Sequence, residues 1–462
     1  LVLDATANEA MTVLPVTRDE ADTLFAPLLR FPRVALAVSG GPDSLALLHL
    51  LAQWRAARSD GPELVVLTVD HGLRPQSRDE ALLVAGTAEA AGLPNTTLVW
   101  EHGAVDEGLQ ARARAARYDL MAAYCHAHDI PALVTAHHLD DQAETFLMRL
   151  MRGSGLDGLA AIPEEGSWAG LTLLRPLLDV SKARLVATVE AAGVVYVTDP
   201  SNTDPRFERG RLRSAMETLT GLGLTAHAIA LSAKRLRRAR AALDLAADAF
   251  LGSHAELSAA GYAAVDTGAL DDLPEEVALR VLSRLLATIG GGVEPVQLAK
   301  LEVLRDALKQ GPDKAHTLGR CRIVPKARRL FFFREMRKEG LPELKLCPGE
   351  RTLWDNRFAV ELRAAEEVPI TVRALGEEGI QTLTEQAALP ASLPRAAARA
   401  LPACWRGRRL LGLPDFGQGE PSLTPLSRHE GSLDCRARFL RGHFDKGYRS
   451  STGVEEECTS WC

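Results

Sequence analysis

The chain of 462 residues has no C-x-x-C pair among its seven cysteines, at 125, 321, 347, 404, 435, 458 and 462. That absence argues against a zinc ribbon, an iron–sulfur cluster and a dithiol redox centre, all of which ask for such spacing. Scattered cysteines fit a reducing cytosol, and a cytoplasmic location is the expectation. No apolar run is long enough to span a membrane, and no basic n-region opens a signal peptide. Met11 is the first methionine and the expected start. There is no internal repeat. Positive charge is not in excess either: the formal net charge is −6, so nucleic-acid binding would need local basic patches. What remains is ordinary for a globular protein, 46% hydrophobic and 25% charged. The length suits roughly two to four domains.

The densest local signal is Ser39-Gly40-Gly41-Pro42-Asp43-Ser44. The apolar run Val34–Val38 before it reads as a buried parallel strand. Leu45, Leu47, Leu48, Leu51 and Trp54 after it line one face of a helix. Strand, tight glycine turn and helix aim backbone N–H groups at an anion. Two glycines let that backbone approach a phosphate closely. Ser39 and Ser44 add hydroxyl donors. Asp43 is the odd member, because a carboxylate beside a phosphate nest repels the ligand unless a cation lies between them. It reads as a Mg²⁺ contact. The lysine of G-x-x-x-x-G-K-[ST] is absent, so this is no Walker A loop. An ordinary strand-to-helix turn with an Asp or Ser cap is the bland alternative.

Strand–helix alternation continues downstream. Leu64–Val69 ends in Asp70-His71, at a strand's carboxyl end, where open α/β sheets bind ligands. Ser77-Arg78-Asp79-Glu80 reads as a capping box. The next helix carries Arg112, Arg114 and Arg117 beside Tyr118; Arg114 and Arg117 share a face, which is otherwise a solvated basic face. A fourth strand, Leu133–Ala136, runs into His137-His138-Leu139-Asp140-Asp141-Gln142-Ala143-Glu144. The helix dipole accounts for one acid there, not for two histidines and three acids together. Asp141 and Glu144 share a face and suit a metal or a substrate amine, with oxygen ligation pointing to Mg²⁺ over Zn²⁺. Leu171–Leu174 reads as a fifth strand. Thr198–Arg206 is turn-rich, with Arg209, Arg211 and Arg213 close behind it in a segment that, with Gly210, reads as a loop.

The fold class expected from this alternation is α/β, a doubly wound parallel sheet. Residues 1–30 read as an extension and 31–215 as the α/β domain that holds the candidate site residues. A mostly helical middle domain follows over 216–338, then a linker at 340–343. A small α+β domain covers 344–425, and 427–462 reads as a disordered polar tail. The basic runs at 206–213 and 234–240 supply the local field that the net charge does not.

The Ser39–Ser44 loop resembles that of the N-type ATP pyrophosphatases, which split ATP between its α and β phosphates. The remaining motifs are similar to those of tRNA(Ile)-lysidine synthases. They are Asp70-His71-Gly72-Leu73-Arg74, Gln110 through Tyr118, His137 through Thr145, Arg149-x-x-Arg152-Gly153-Ser154-Gly155, Leu156-x-Gly158-Leu159, Arg175-Pro176-Leu177-Leu178 and Asp199-Pro200-Ser201-Asn202. Leu318-Gly319-x-Cys321 and Arg334-Glu335 extend the likeness, which spans about residues 30–415. It departs at Gly210, where the family carries Asn.

The resemblance implies an adenine nucleotide alpha hydrolase-like first domain. It also implies a reaction: ATP adenylates the C2 oxygen of the wobble cytidine in tRNA(Ile) with a CAU anticodon, and free L-lysine displaces AMP. ATP would lie against Ser39, Gly40, Gly41, Pro42, Asp43, Ser44, Asp70 and His71. Asp43 and Asp141 would hold Mg²⁺. Arg114, Arg117, His137, Asp141, Glu144 and Arg209 would meet the substrates, with Asp43, Asp141 and Glu144 catalytic. No membrane is involved, and a homodimer is among the expected assemblies. Two alternatives stand beside this reading. One is a tRNA 2-thiolation enzyme, although only Cys125 lies in the first domain. The other is a non-catalytic nucleotide-binding regulator, although Asp43, Asp141 and Glu144 are all intact.

Overall fold

The computed structural model describes residues 13–73, 76–102, 109–198, 206, 208–292, 296–311, 314–363, 368–415 and 435–440. Met11, Arg74, the side chain of Gln110, the Asp199–Asn202 motif and most of the expected tail lie outside the described residues. The chain forms two compact units, dividing between Arg240 and Ala241.

The first unit runs α1 (Arg18–Phe25), β1 (Arg33–Ala37), α2 (Pro42–Ala56), β2 (Glu63–Asp70), α3 (Ser77–Ala90), β3 (Asn95–Val99), α4 (Leu109–Ala127) and β4 (Ala132–Val134). It continues through α5 (Leu139–Met151), α6 (Leu156–Leu159), β5 (Glu165–Trp168), β6 (Leu171–Leu174), α7 (Lys182–Ala191) and α8 (Glu208–Gly221), and α9 (Ala226–His254) starts within it. The sheet order is β3-β2-β1-β4-β6-β5. All neighbours are parallel except the β5–β6 pair, an antiparallel edge not foreseen. Its strand β5, Glu-Gly-Ser-Trp, is short and largely exposed, so it carries no hydrophobic pattern to read.

Strand pleating sends alternate side chains of β1 to opposite faces. Val34, Leu36 and Val38 pack with Phe25, Leu45, Leu48, Trp54 and Leu185. Ala35 packs with Leu67, Leu133, Tyr118, Met121 and Cys125. Helices therefore cover both faces, as a doubly wound sheet requires. Strand β1 has β2 on one side and β4 on the other. The chain reverses its winding there, and the loop after β1 opens at that switch point.

The second unit adds β7 (Ala255–Ser258), β8 (Tyr262–Asp266), α10 (Thr267–Asp271), α11 (Glu275–Gly290), α12 (Leu298–Gln310), β9 (His316–Leu318), β10 (Cys321–Lys326) and β11 (Arg329–Arg334). These strands form an antiparallel sheet in the order β7-β8-β11-β10-β9. The β7–β8 hairpin was not foreseen. Its alanine-rich sequence favours helix by propensity, and what turns it is Gly261 at φ +73. An added Cβ at Gly261 would meet Phe358 at 2.8 Å. Seven short strands, β12 (Leu344–Leu346), β13 (Arg351–Trp354), β14 (Phe358–Leu362), β15 (Ile370–Ala374), β16 (Pro402–Arg406), β17 (Arg409–Gly412) and β18 (Cys435–Phe439), and the helices α13 (Gly376–Glu385) and α14 (Arg395–Ala398) complete the unit. Leu330, Leu341, Leu346, Trp354 and Trp405 belong to one core. The segment 340–343, expected as a linker, buries Leu341, and its Pro342 carbonyl accepts from Trp354 Nε1 at 2.8 Å. Strand β18 corrects the expected disorder at 435–440: Cys435, Ala437 and Phe439 point inward with period two, against β14.

Candidate active site

The loop after β1 is built as the glycine pattern requires. Gly40 has φ +80, a conformation that L side chains rarely adopt. Gly41 caps α2 with extended backbone, and Pro42 opens the helix where its missing N–H costs nothing. Ser44 Oγ donates to Gly41 O at 3.0 Å and accepts from Ser39 N–H at 3.1 Å, so the two serines pin the turn from inside. Gly40 O accepts from Val197 N–H at 3.0 Å.

His138 is the hub of the site. It caps α5 and is buried. Its Nε2 lies 3.5 Å from Asp43 Oδ2 and 3.5 Å from Asp141 Oδ2, and its Nδ1 lies 3.5 Å from Asp140 Oδ2. Burial disfavours its charge, yet hydrogen bonds to Asp140 and Asp43 and the fields of Asp141 and Asp43 prevail, pushing its pKa up to about 10. A cationic ring donates from both nitrogens. The 3.4 Å approach of Asp141 N–H to Nδ1 is then a neighbouring donor rather than a hydrogen bond. Burial alone would raise Asp43 and Asp140; contact with His138, and for Asp43 the Lys182 ammonium, instead lowers both below the usual carboxylate range.

Asp43 and Asp141, 98 positions apart by number, thus flank one imidazole nitrogen. Asp43 Oδ1 is buried and has no hydrogen-bond partner among the described residues. Among the described residues no three His, Cys, Asp or Glu side chains form a metal cage. Two carboxylates with one orphaned oxygen fit an ion that takes its remaining ligands from substrate phosphates and water, as Mg²⁺ does.

Glu144 lies one helical turn on from Asp141 and is buried. Arg213 Nε donates to its Oε1 at 2.5 Å and Nη2 to its Oε2 at 3.3 Å, while Arg209 Nε stays 3.9 Å away. These arginines stand on α8, which corrects the expectation of a loop over 209–213: Gly210 is buried inside a helix. His137 Nδ1 pairs with Thr135 Oγ1 at 2.8 Å. Burial lowers its pKa to about 4, helped by Arg175, Arg114 and Arg209 and opposed by Asp141, so its ring is neutral. Arg114 lies over the Tyr118 ring at 5.2 Å. Arg117 is half-buried, and desolvation lowers its pKa. Arg175 Nη1 donates to Pro163 O, and its Nε has no partner among the described residues. None of Arg114, Arg117 and Arg175 has an ion pair among the described residues. Guanidinium groups left without acids suit an anionic substrate.

Asp70 and His71 stand at the carboxyl end of β2, beside the loop's strand. Asp70 Oδ1 accepts from Gly72 N–H at 3.0 Å and from Ser77 Oγ at 2.6 Å. That spends the Ser77 hydroxyl, and Gln76 caps α3 without a side-chain bond, so the expected capping box is not formed. His71 Nδ1 accepts from Leu73 N–H at 3.2 Å. The 234–240 run is also partly spent: Lys234 pairs with Asp179, Arg237 with Glu164 and Arg240 with Asp157. Only Arg235 and Arg238 of that run are exposed and unpaired among the described residues. Sequence reading passed over His138, Lys182 and Arg213 as site residues. The doubled histidine was a signal for the first; nothing local marks Lys182, which meets Asp43 only through the fold.

A model of the PP-loop domain family matches residues 15–219. The tRNA(Ile)-lysidine synthase of a Bradyrhizobium species is 46% identical over 304 residues, covering 64% of this chain and 84% of that one. That of Rhodopseudomonas palustris is 47% identical over 296 residues, 64% and 85% of the two chains. That of Ruegeria pomeroyi is 36% identical over 392 residues, 83% and 89%, which carries the likeness into the second unit. The Ser39–Ser44 loop, the acids and the arginines without acid partners lie within the stretch that the family model matches, and the chain belongs to the tRNA(Ile)-lysidine synthase family, with a PP-loop ATP-binding domain.

Proposed function

We propose that the groups converging on His138 carry out the synthesis of lysidine on tRNA(Ile) from ATP and lysine. The observation that carries this is the meeting of Asp43, from the phosphate loop, with Asp141, from the acidic helix start, at one imidazole. Asp43 then serves the nucleotide, and Asp141 stands where nucleotide and amine meet. The loop from Ser39 to Ser44 cradles the phosphates, with Asp70 and His71 at the neighbouring strand end. Mg²⁺ would sit on Asp43 and Asp141 and would neutralise charge on the phosphates. The cytidine C2 oxygen is a poor leaving group until it carries AMP. Arg114, Arg117 and Arg209 hold anionic parts of the substrates, and neutral His137 lies among them. Asp141 and Glu144 receive the lysine ammonium, and one of them accepts the proton that leaves as the amine attacks C2. His138 stays protonated and keeps the acids ionised for that task. Cytoplasmic location and a homodimer belong to the same reading.

The test is AMP release from ATP, measured with and without lysine and tRNA(Ile). We expect release to require both. Release supported by a sulfur donor in place of lysine would favour the thiolation alternative.

A further inference from the structure

Asp43 has a second cation beside it. Lys182 Nζ lies 3.4 Å from Asp43 Oδ2, across 139 positions of sequence. Backbone contacts put it there. Leu139 N–H donates to Val180 O at 2.9 Å, and Lys182 N–H donates to Asp140 Oδ2 at 2.8 Å. The start of α7 is thereby tied to the start of α5, and the Lys182 side chain reaches the phosphate loop. The contact is longer than a charge-assisted hydrogen bond of good geometry. The side chain remains 38% exposed, and Asp43 is its only acidic partner among the described residues. This is a loosely held ammonium at the mouth of a loop that lacks the Walker lysine.

We propose that Lys182 binds the β and γ phosphates of ATP and then the departing pyrophosphate. It supplies from α7 the charge that a Walker A loop carries within its own sequence. The proposal rests on the adenylation reading above. In that step the cytidine C2 oxygen attacks the α phosphorus. The O2–Pα bond forms and the bond from Pα to the bridging oxygen breaks, with its electron pair going to the pyrophosphate. Nothing is oxidised or reduced. The Lys182 ammonium donates to an oxygen of the pyrophosphate as its charge grows, and the contact with Asp43 holds it in place before ATP arrives.

The test uses the full chain with Lys182→Gln and Lys182→Arg. Pyrophosphate release from ATP is followed in single turnovers with tRNA(Ile), and inhibition by added pyrophosphate and by AMP is measured. Lys182→Gln should slow release about ten- to a hundredfold, the range for a lost hydrogen bond to a charged group. It should weaken pyrophosphate inhibition about tenfold or more and leave AMP inhibition unchanged. Lys182→Arg should restore most of both. A residue that only braced Asp43 would not separate the two inhibitors. Pyrophosphate inhibition of Lys182→Gln within twofold of the parent overturns the proposal, whatever its rate. If the parent itself releases no pyrophosphate with tRNA(Ile), the adenylation reading fails and this proposal falls with it.

Discussion

Arg213→Ala tests the architecture of the site through an asymmetry in exposure. The Glu144 side chain is 5% exposed, whereas that of Arg213 is 27% exposed. Removing the arginine strands a buried carboxylate, with Arg209 no nearer than 3.9 Å. Breaking a buried pair from one side costs about 3–5 kcal/mol. Water reaches part of Arg213, so the low end applies, about 3 kcal/mol. In a unit of this size that lowers the melting temperature by about 6–12 °C. Glu144→Gln leaves the more solvated partner and keeps an acceptor, so it should cost only about 1 kcal/mol. The double variant should be more stable than Arg213→Ala alone, because no charge is then left buried. Scanning calorimetry of the four proteins reads all three expectations. A loss under about 2 °C for Arg213→Ala, or a larger loss for Glu144→Gln, would refute the reasoning.

Asp43→Asn should abolish AMP release while leaving the melting temperature nearly unchanged, because Asn keeps the shape and one acceptor; near-normal turnover would remove Asp43 from the chemistry. tRNA binding should weaken with salt, and Arg235→Ala with Arg238→Ala should flatten the log–log slope by about 0.7–0.9 for each phosphate no longer neutralised. Arg237→Ala should instead lower stability, since Arg237 also donates to Ile162 O at 2.9 Å; an unchanged slope in the first pair would make that face plain surface. Glu20 is held down to about pKa 2, first by its hydrogen bond from Arg184. Its folded value is depressed, so its stabilisation is complete above the unfolded value near 4.5 and fades as pH falls toward 2. Glu20→Gln should therefore show a flatter loss of stability than the parent across that window, and parallel acid profiles would contradict the pairing.

The parts of this molecule that repeat a local rule were legible in the chain. Val34–Val38, the glycine turn and the leucines after it each follow from periodicity or backbone freedom, and together they place the turn between β1 and α2. The helix start among His137 to Glu144 was legible from its crowded acids, and α5 begins there with His138 as its cap. What stayed hidden depends on distant pairing. Lys182 looks like any residue after a helix cap until Asp140 accepts its backbone N–H. Ser77 fits a capping box locally, but a 2.6 Å bond to Asp70 outweighs it. Gly210 reads as a turn residue, yet α8 packs through it once Arg213 reaches Glu144. The basic run at 234–240 reads as one patch, while the fold divides it between ion pairs and two arginines with no acid partner among the described residues.

The most direct test of the central claim is the product on the RNA. tRNA(Ile) with a CAU anticodon is incubated with the full chain, ATP, Mg²⁺ and lysine, then digested and analysed by mass spectrometry. We expect one lysine joined to the wobble cytidine, dependent on ATP and absent with Asp43→Asn. An unmodified cytidine while ATP is consumed, or a sulfur atom at C2 in place of lysine, would contradict it.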